Sequence, residues 1–276
     1  YARAGDEIVG PKYTWAGFSH SARRQGVTVV EAPLRPDWTA NMNAVLAAIG
    51  PRTRMVFLAN PNNPLGTHVP AVDVARLVAG VPAHVVLCLD SAYAELATAA
   101  DYTAGHEFVA GRPNVVVTRT LSKIYGLAGV RVGWAHASPG MVAVLDTMRQ
   151  MSVIPRLAET VAMAALQDQA FVAEVRQRNA AVRSRLSSAM QELDLEVLPS
   201  QANFLAVRFP PALGKAKDVA MALLAKGIWT SQLTGYGLPD WLRITLPQEQ
   251  DVERLIQAIG EELSKSRKSG PDQDSW

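Results

Sequence analysis

In the first half of the chain, hydrophobic and polar positions form short apolar runs separated by polar, helix-compatible stretches. Val27–Ala32, Met55–Ala59, Val85–Leu89, Val115–Thr118 and Val130–Ala135 are rich in β-branched residues and predict strands. Between two of them, Ala71–Ala79 repeats apolar residues at helical spacing and predicts an amphipathic helix. Strands apolar on both faces, alternating with helices, call for a mostly parallel sheet with helices covering each side, a three-layer α/β/α class. In open sheets of this kind ligands gather beyond the carboxyl ends of the strands. Asn60–Gly66, Asp90–Tyr93 and Thr120–Lys123 each directly follow a predicted strand, so one pocket is expected to hold all three.

The pattern changes in the second half. Leu157–Leu193 is a long helical stretch rich in Ala and Arg, interrupted near Gln167–Ala170. A short strand follows at Leu195–Leu198, then a strand at Phe204–Phe209, a helix at Asp218–Lys226, a strand at Leu242–Thr245 and a helix at Gln248–Leu263. These predict a smaller C-terminal α+β domain. Its boundary is expected near Ser152–Arg156, where Pro155 interrupts helix. The expected organisation is thus 1–152, a large domain; 153–265, a small domain; and 266–276, a polar tail containing Gly-Pro and expected to fray.

Composition narrows the function classes. The 276 residues are 49% hydrophobic and 19% charged, and the net charge of +2 gives no argument for a nucleic-acid or membrane partner. No apolar run approaches the length of a membrane span, and the N-terminus does not resemble a signal peptide. Cys88 is the single cysteine, so no intramolecular disulfide can form, and a reducing cytoplasm is expected. The five histidines show no metal-like spacing, and no metal is expected.

Chemistry concentrates in three segments. In Thr120-Leu-Ser-Lys-Ile-Tyr-Gly-Leu-Ala-Gly-Val-Arg131, the amine of Lys123 lies among the hydroxyls of Thr120 and Ser122, with Arg131 downstream. An amine beside groups able to hold a phosphate suits pyridoxal phosphate, which presents an aldehyde and a phosphate together. Asn60-Pro-Asn-Asn-Pro-Leu-Gly-Thr67 is crowded with turn formers. Asp90 ends an apolar strand, where a carboxylate is costly unless it faces a cation or a protonated ring nitrogen.

Together with Ser200-Gln-Ala-Asn-Phe204 and Leu242-Arg-Ile-Thr245, these segments resemble the fold-type I pyridoxal-phosphate aminotransferases, in the branch of histidinol-phosphate and aromatic aminotransferases. The likeness covers nearly the whole chain. It implies that Lys123 holds the cofactor as a Schiff base and shuttles the substrate proton, while Asp90 pairs with the ring nitrogen. It also implies that Asn63 and Tyr93 hydrogen-bond the phenolic oxygen, Trp15 stacks on the ring, and Thr120, Ser122 and Arg131 bind the phosphate. Arg243 would fork onto the substrate carboxylate, with Asn203 orienting either Arg243 or the substrate. The implied partners are an amino acid, a 2-oxo acid and a second copy of the chain, since relatives complete each site across a homodimer.

Several departures qualify the resemblance. Ser91 stands where the family carries Glu, and Leu65 where it carries Thr; neither is expected to touch the cofactor. The family has an arginine shortly after the Gly-Ile before the last strand, which helps grip a substrate phosphate. Here the stretch Gly227-Ile-Trp-Thr-Ser-Gln-Leu233 has no basic residue, which counts against histidinol phosphate and suggests an apolar side-chain pocket formed by Trp229 and Leu233. Tyr1–Val9 resembles a point well inside the family's large domain, so either a fragment of a longer protein or a degenerate copy is expected, and the intact downstream motifs favour the fragment. The alternatives are a decarboxylase of a phosphorylated amino acid, which shares Lys123 and Asp90, and a non-catalytic aminotransferase-like sensor or inactive fragment.

Overall fold

Both faces of a single sheet account for the apolar runs of the first half. A computed structural model describes residues 1–148, 154–210 and 215–268. Its first unit runs β1 (Glu7–Pro11), α1 (Ala16–Arg24), β2 (Thr28–Ala32), α2 (Met42–Ala47), β3 (Thr53–Ala59), α3 (Ala71–Gly80), β4 (Val86–Asp90), β5 (Val115–Thr120), β6 (Gly133–Ala137), α4 (Pro139–Met148) and α5 (Arg156–Gln167). The strands are ordered β2-β1-β3-β4-β5-β6. All neighbours pair in parallel except β6, which runs antiparallel to β5.

β3 shows why its sequence is nearly continuously apolar. Val56 and Leu58 join Val45 of α2 and Val74 and Leu77 of α3 in one buried cluster. Phe57 and Ala59 join Phe18 of α1 in another, with the two phenyl rings stacked at 4.0 Å. Each fully buried aliphatic side chain contributes about 1.5–3 kcal/mol of transfer free energy, so both faces hold the helices against the sheet. The expected α/β/α class is the one observed. One strand is displaced from its expected position: Val130–Ala135 gives way to β6 at Gly133–Ala137, because Arg131 takes a φ of 62° and a left-handed residue cannot continue an extended strand.

The second unit contains most of α6 (Gln169–Glu192), then β7 (Glu196–Val197), β8 (Phe204–Arg208), α7 (Ala216–Ala225), β9 (Ser231–Gln232), β10 (Trp241–Thr245) and α8 (Val252–Lys268). Its sheet, β7-β8-β10-β9, is antiparallel throughout. Leu205, Val207, Leu242 and Ile244 bury against Leu186 and Met190 of α6, Leu223 of α7 and Ile259 of α8.

The two compact units divide at Arg176/Gln177, within α6, rather than near 152–156, and Pro64–Gly66 belongs with the second. The first turns of α6 stay with the first unit because the Arg176 guanidinium donates to the Ala97 carbonyl at 2.7 Å. Of the expected boundary, residues 152–153 lie outside the described residues. Of the expected tail, 266–268 continue α8, and 269–276 lie outside the described residues. No described helix is long and apolar enough to cross a membrane.

Candidate active site

Parallel register brings the ends of β3, β4 and β5 side by side, with Ala59 opposite Asp90 and Asp90 opposite Thr118. A cavity of about 390 Å³ opens beyond them. Eight expected residues line it: Trp15, Asn63, Asp90, Tyr93, Thr120, Ser122, Lys123 and Arg131. Thr118 and Arg119 also line it and were not anticipated. Strand alternation held the signal for Thr118, which shares a face with Thr120 two residues later.

The Asn-rich turn divides its labour. Buried Asn60 closes the turn on Val69, accepting from its N–H at 2.8 Å and donating to its carbonyl at 3.1 Å. Asn62 donates to the Tyr13 carbonyl and accepts from the Thr14 hydroxyl, fixing the segment that carries Trp15. Asn63 is the one that reaches the cavity wall.

Asp90 is partly buried, and its Oδ1 accepts from the Ala92 N–H at 3.2 Å and the Thr118 hydroxyl at 3.3 Å. Burial raises its pKa above the ordinary carboxylate value, against the opposing pull of those two hydrogen bonds and of the Lys123 charge. A carboxylate so placed favours a further cation. Lys123 Nζ lies 5.2 Å from the centre of the buried Tyr93 ring. The Thr120 hydroxyl donates to Ser122 Oγ at 2.9 Å, and the Ser122 N–H donates back to Thr120 Oγ1 at 3.1 Å, giving a compact hydroxyl cup. Arg131 Nη1 donates to the Ala128 carbonyl at 2.6 Å, which steadies a guanidinium otherwise open to solvent. Amine, carboxylate, hydroxyls, guanidinium and indole form a donor set that fits pyridoxal phosphate at each of its functional groups.

Arg243 and Asn203 lie in the second unit. Arg243 sits on β10 between Ala206 of β8 and Ser231 of β9; its Nη2 is 3.5 Å from Ser231 Oγ, and its guanidinium is 5.1 Å from the Phe204 ring centre. Asn203 precedes β8, and its carbonyl accepts from the Leu246 N–H just after β10. Trp229 and Leu233 do not form the expected pocket: Leu233 is core, whereas Trp229 is 77% exposed. Among the described residues, no group of three or more His, Cys, Asp or Glu side chains could hold a metal ion.

Comparison with known proteins agrees with this geometry. Residues 1–259 match the family model for aminotransferase class I and II. The chain is 40% identical over 263 residues to the histidinol-phosphate aminotransferase of Rhodospirillum centenum, spanning 95% of this chain and 72% of that protein. It is 42% identical over 262 residues to the histidinol-phosphate aminotransferase of Sphingopyxis alaskensis, spanning 94% and 70%. The crystal structure of the Sinorhizobium meliloti histidinol-phosphate aminotransferase, in complex with pyridoxal-5'-phosphate, superposes with a TM-score of 0.83 at 30% identity, covering 96% of this chain and 72% of that one. Fold, cavity and sequence kinship converge: the chain belongs to the class I and II aminotransferases and is a pyridoxal-phosphate-dependent transaminase.

Proposed function

We propose that Lys123, Asp90 and Tyr93 carry the transfer of an amino group between an amino acid and a 2-oxo acid. The observation that carries this is the convergence of a half-buried carboxylate, Asp90, and an amine, Lys123, on one cavity at the ends of parallel strands. Bound pyridoxal phosphate supplies an aldehyde for the amino group and a ring that accepts electrons from the substrate Cα. Lys123 would hold the cofactor through its amine and would move the proton at the substrate Cα. The Asp90 carboxylate keeps the ring nitrogen protonated, and its own tendency to protonate is cancelled by that cation. Asn63 and the Tyr93 hydroxyl orient the phenolic oxygen, Trp15 covers the ring, and Thr120, Ser122 and Arg131 hold the phosphate. Arg243 takes the substrate carboxylate as a bidentate fork, oriented with the help of Asn203.

The amino donor in this proposal carries an aromatic or apolar side chain. Support comes from Gly227–Leu233, where the hydroxyl of Ser231 neighbours Arg243 and the segment itself carries no basic residue. A phosphate dianion needs more charge than one guanidinium supplies. That shortage also ranks a decarboxylase of a phosphorylated amino acid lower. The histidinol-phosphate aminotransferases among the relatives favour the second reading, histidinol phosphate as donor. We further propose a homodimer, as in the family, and a cytoplasmic setting, in keeping with a lone Cys88 whose thiol burial pushes up to about 12.

Adding single amino acids to the cofactor-loaded protein tests this directly. Phenylalanine, leucine or a similar donor should shift the visible absorbance of the bound cofactor from the aldehyde to the amine form, and histidinol phosphate should not. A shift with histidinol phosphate alone would establish the second reading. Carbon dioxide release would instead establish decarboxylation, and no response to any donor would leave a binding protein. Size-exclusion chromatography with light scattering reports the dimer.

A further inference from the structure

Arg119 sits on β5 between the two threonines that serve the cavity, Thr118 bonded to Asp90 and Thr120 bonded to Ser122. Its side chain meets its cross-strand partner Trp134, the guanidinium 5.5 Å from the indole centre. There Arg119 Nη2 donates to Glu95 Oε1 at 2.6 Å, with the two side chains only 13% and 12% exposed. Glu95 lies two residues beyond Tyr93, in the tight turn Ala94–Leu96. Arg119 Nη1 is 2.8 Å from His106 Nε2. A guanidinium can only donate, so that nitrogen presents its lone pair. His106 is therefore neutral, with its proton on Nδ1, and Nδ1 donates to His136 Nδ1 at 3.1 Å. Burial and the Arg119 charge push the His106 pKa down, in keeping with that neutral form. His106 also stacks on Trp134 at 5.3 Å.

As a source of stability this arrangement is poor. A closed ion pair loses hydration on both partners, and the Arg119 Nε–H is buried with no acceptor. Apolar side chains of the same volume would hold the two segments together at least as well. What they would lack is a single geometry. An ion pair with a second, neutral acceptor sets both the distance and the orientation between β5 and the turn after Tyr93.

We infer that Arg119 is a positioning residue: clamped to Glu95 and His106, it sets where Thr118, Thr120 and Tyr93 stand in the cofactor cavity. The inference rests on the assignment of that cavity to pyridoxal phosphate. Arg119→Met, Glu95→Gln and their double variant, in the full chain, supply the test. Three quantities are read: the dissociation constant for pyridoxal phosphate, the pH midpoint of the bound-cofactor absorbance, and the near-UV circular dichroism of the cofactor-free protein. Folded Arg119→Met should bind at least tenfold more weakly, with its midpoint moved upward because Tyr93 no longer sits to favour the ionised phenolic oxygen. The double variant should lose no more than Arg119→Met alone, because both changes break one clamp. Wild-type affinity and midpoint in folded Arg119→Met would overturn the inference, as would additive losses in the double variant. Should Arg119→Met fail to fold, His106→Leu and His106→Gln decide. The leucine variant should bind more weakly and the glutamine variant, which restores an acceptor, should recover; equal binding by the two would overturn it. Wild-type protein that gives no borohydride-trapped adduct on Lys123 would bring down the cavity assignment and this inference together. Trapping on wild type with no effect at position 119 would bring down this inference alone.

Discussion

The two sheets handle polar chemistry in opposite ways. In the six-stranded sheet, β3, β4 and β5 point the same way, and their apolar interiors leave the first polar positions at their carboxyl ends. Asn63, Asp90, Thr118, Thr120, Ser122 and Lys123 are thereby pooled around one cavity. In the four-stranded sheet neighbouring strands run oppositely, so strand ends alternate between edges and nothing pools. Its cations stand singly: Arg208 pairs with Glu196 of the neighbouring strand, and Arg243 is flanked by Ala206 and Ser231. Strand direction thus decides whether a sheet gathers its polar strand ends on one edge or spreads them over two.

Substitutions at the pooled end should therefore act on the chemistry, and those on the antiparallel face on binding. The largest effect is expected for Lys123→Ala, which removes the amine: turnover should fall by about ten-thousandfold or more, and mass spectrometry after borohydride treatment should show no adduct. Asp90→Asn should lower kcat by about a hundred- to thousandfold, as removal of one electrostatic partner does elsewhere. Arg243→Gln should instead act mainly through KM, raising it by about thirtyfold, and Arg243→Lys should fall between that and wild type. A comparable loss in kcat for Arg243→Gln would erase the contrast between the sheets.

A subtler effect concerns pH. Because burial raises the Asp90 pKa, the folded, cofactor-free protein holds that proton more tightly than the unfolded chain does. Stability should then decline as pH rises from the ordinary aspartate range through the raised value, and Asp90→Asn should flatten that slope and melt higher near neutral pH. Thermal melts of the cofactor-free protein across the acid range check it. Smallest of all, Trp229→Ser should change stability by no more than about 0.5 kcal/mol, since the indole is largely exposed.

The strands of the large sheet were legible because both faces are buried and their residues are apolar without interruption. β1 escaped because Gly10 and Pro11 sit in it, and β9 because Ser231–Gln232 is held by pairing with β10 rather than by its own pattern. α4 was missed although it is apolar, since Met141 is its only buried side chain and no amphipathic period marks it. Most of the cavity could be read from motifs that follow strands. Arg119 could not: its role rests on Glu95, His106 and Trp134, each distant in sequence and joined to it only by the sheet.

Arg131 holds a backbone geometry that suits glycine, with φ at 62°. A side chain there costs on the order of 1 kcal/mol relative to a residue lacking Cβ. Replacing it with glycine would relax the chain and harden the empty protein against heat while discarding its guanidinium. Selecting variants for thermal endurance alone would thus drift toward a sturdier molecule without the guanidinium proposed to grip the cofactor phosphate.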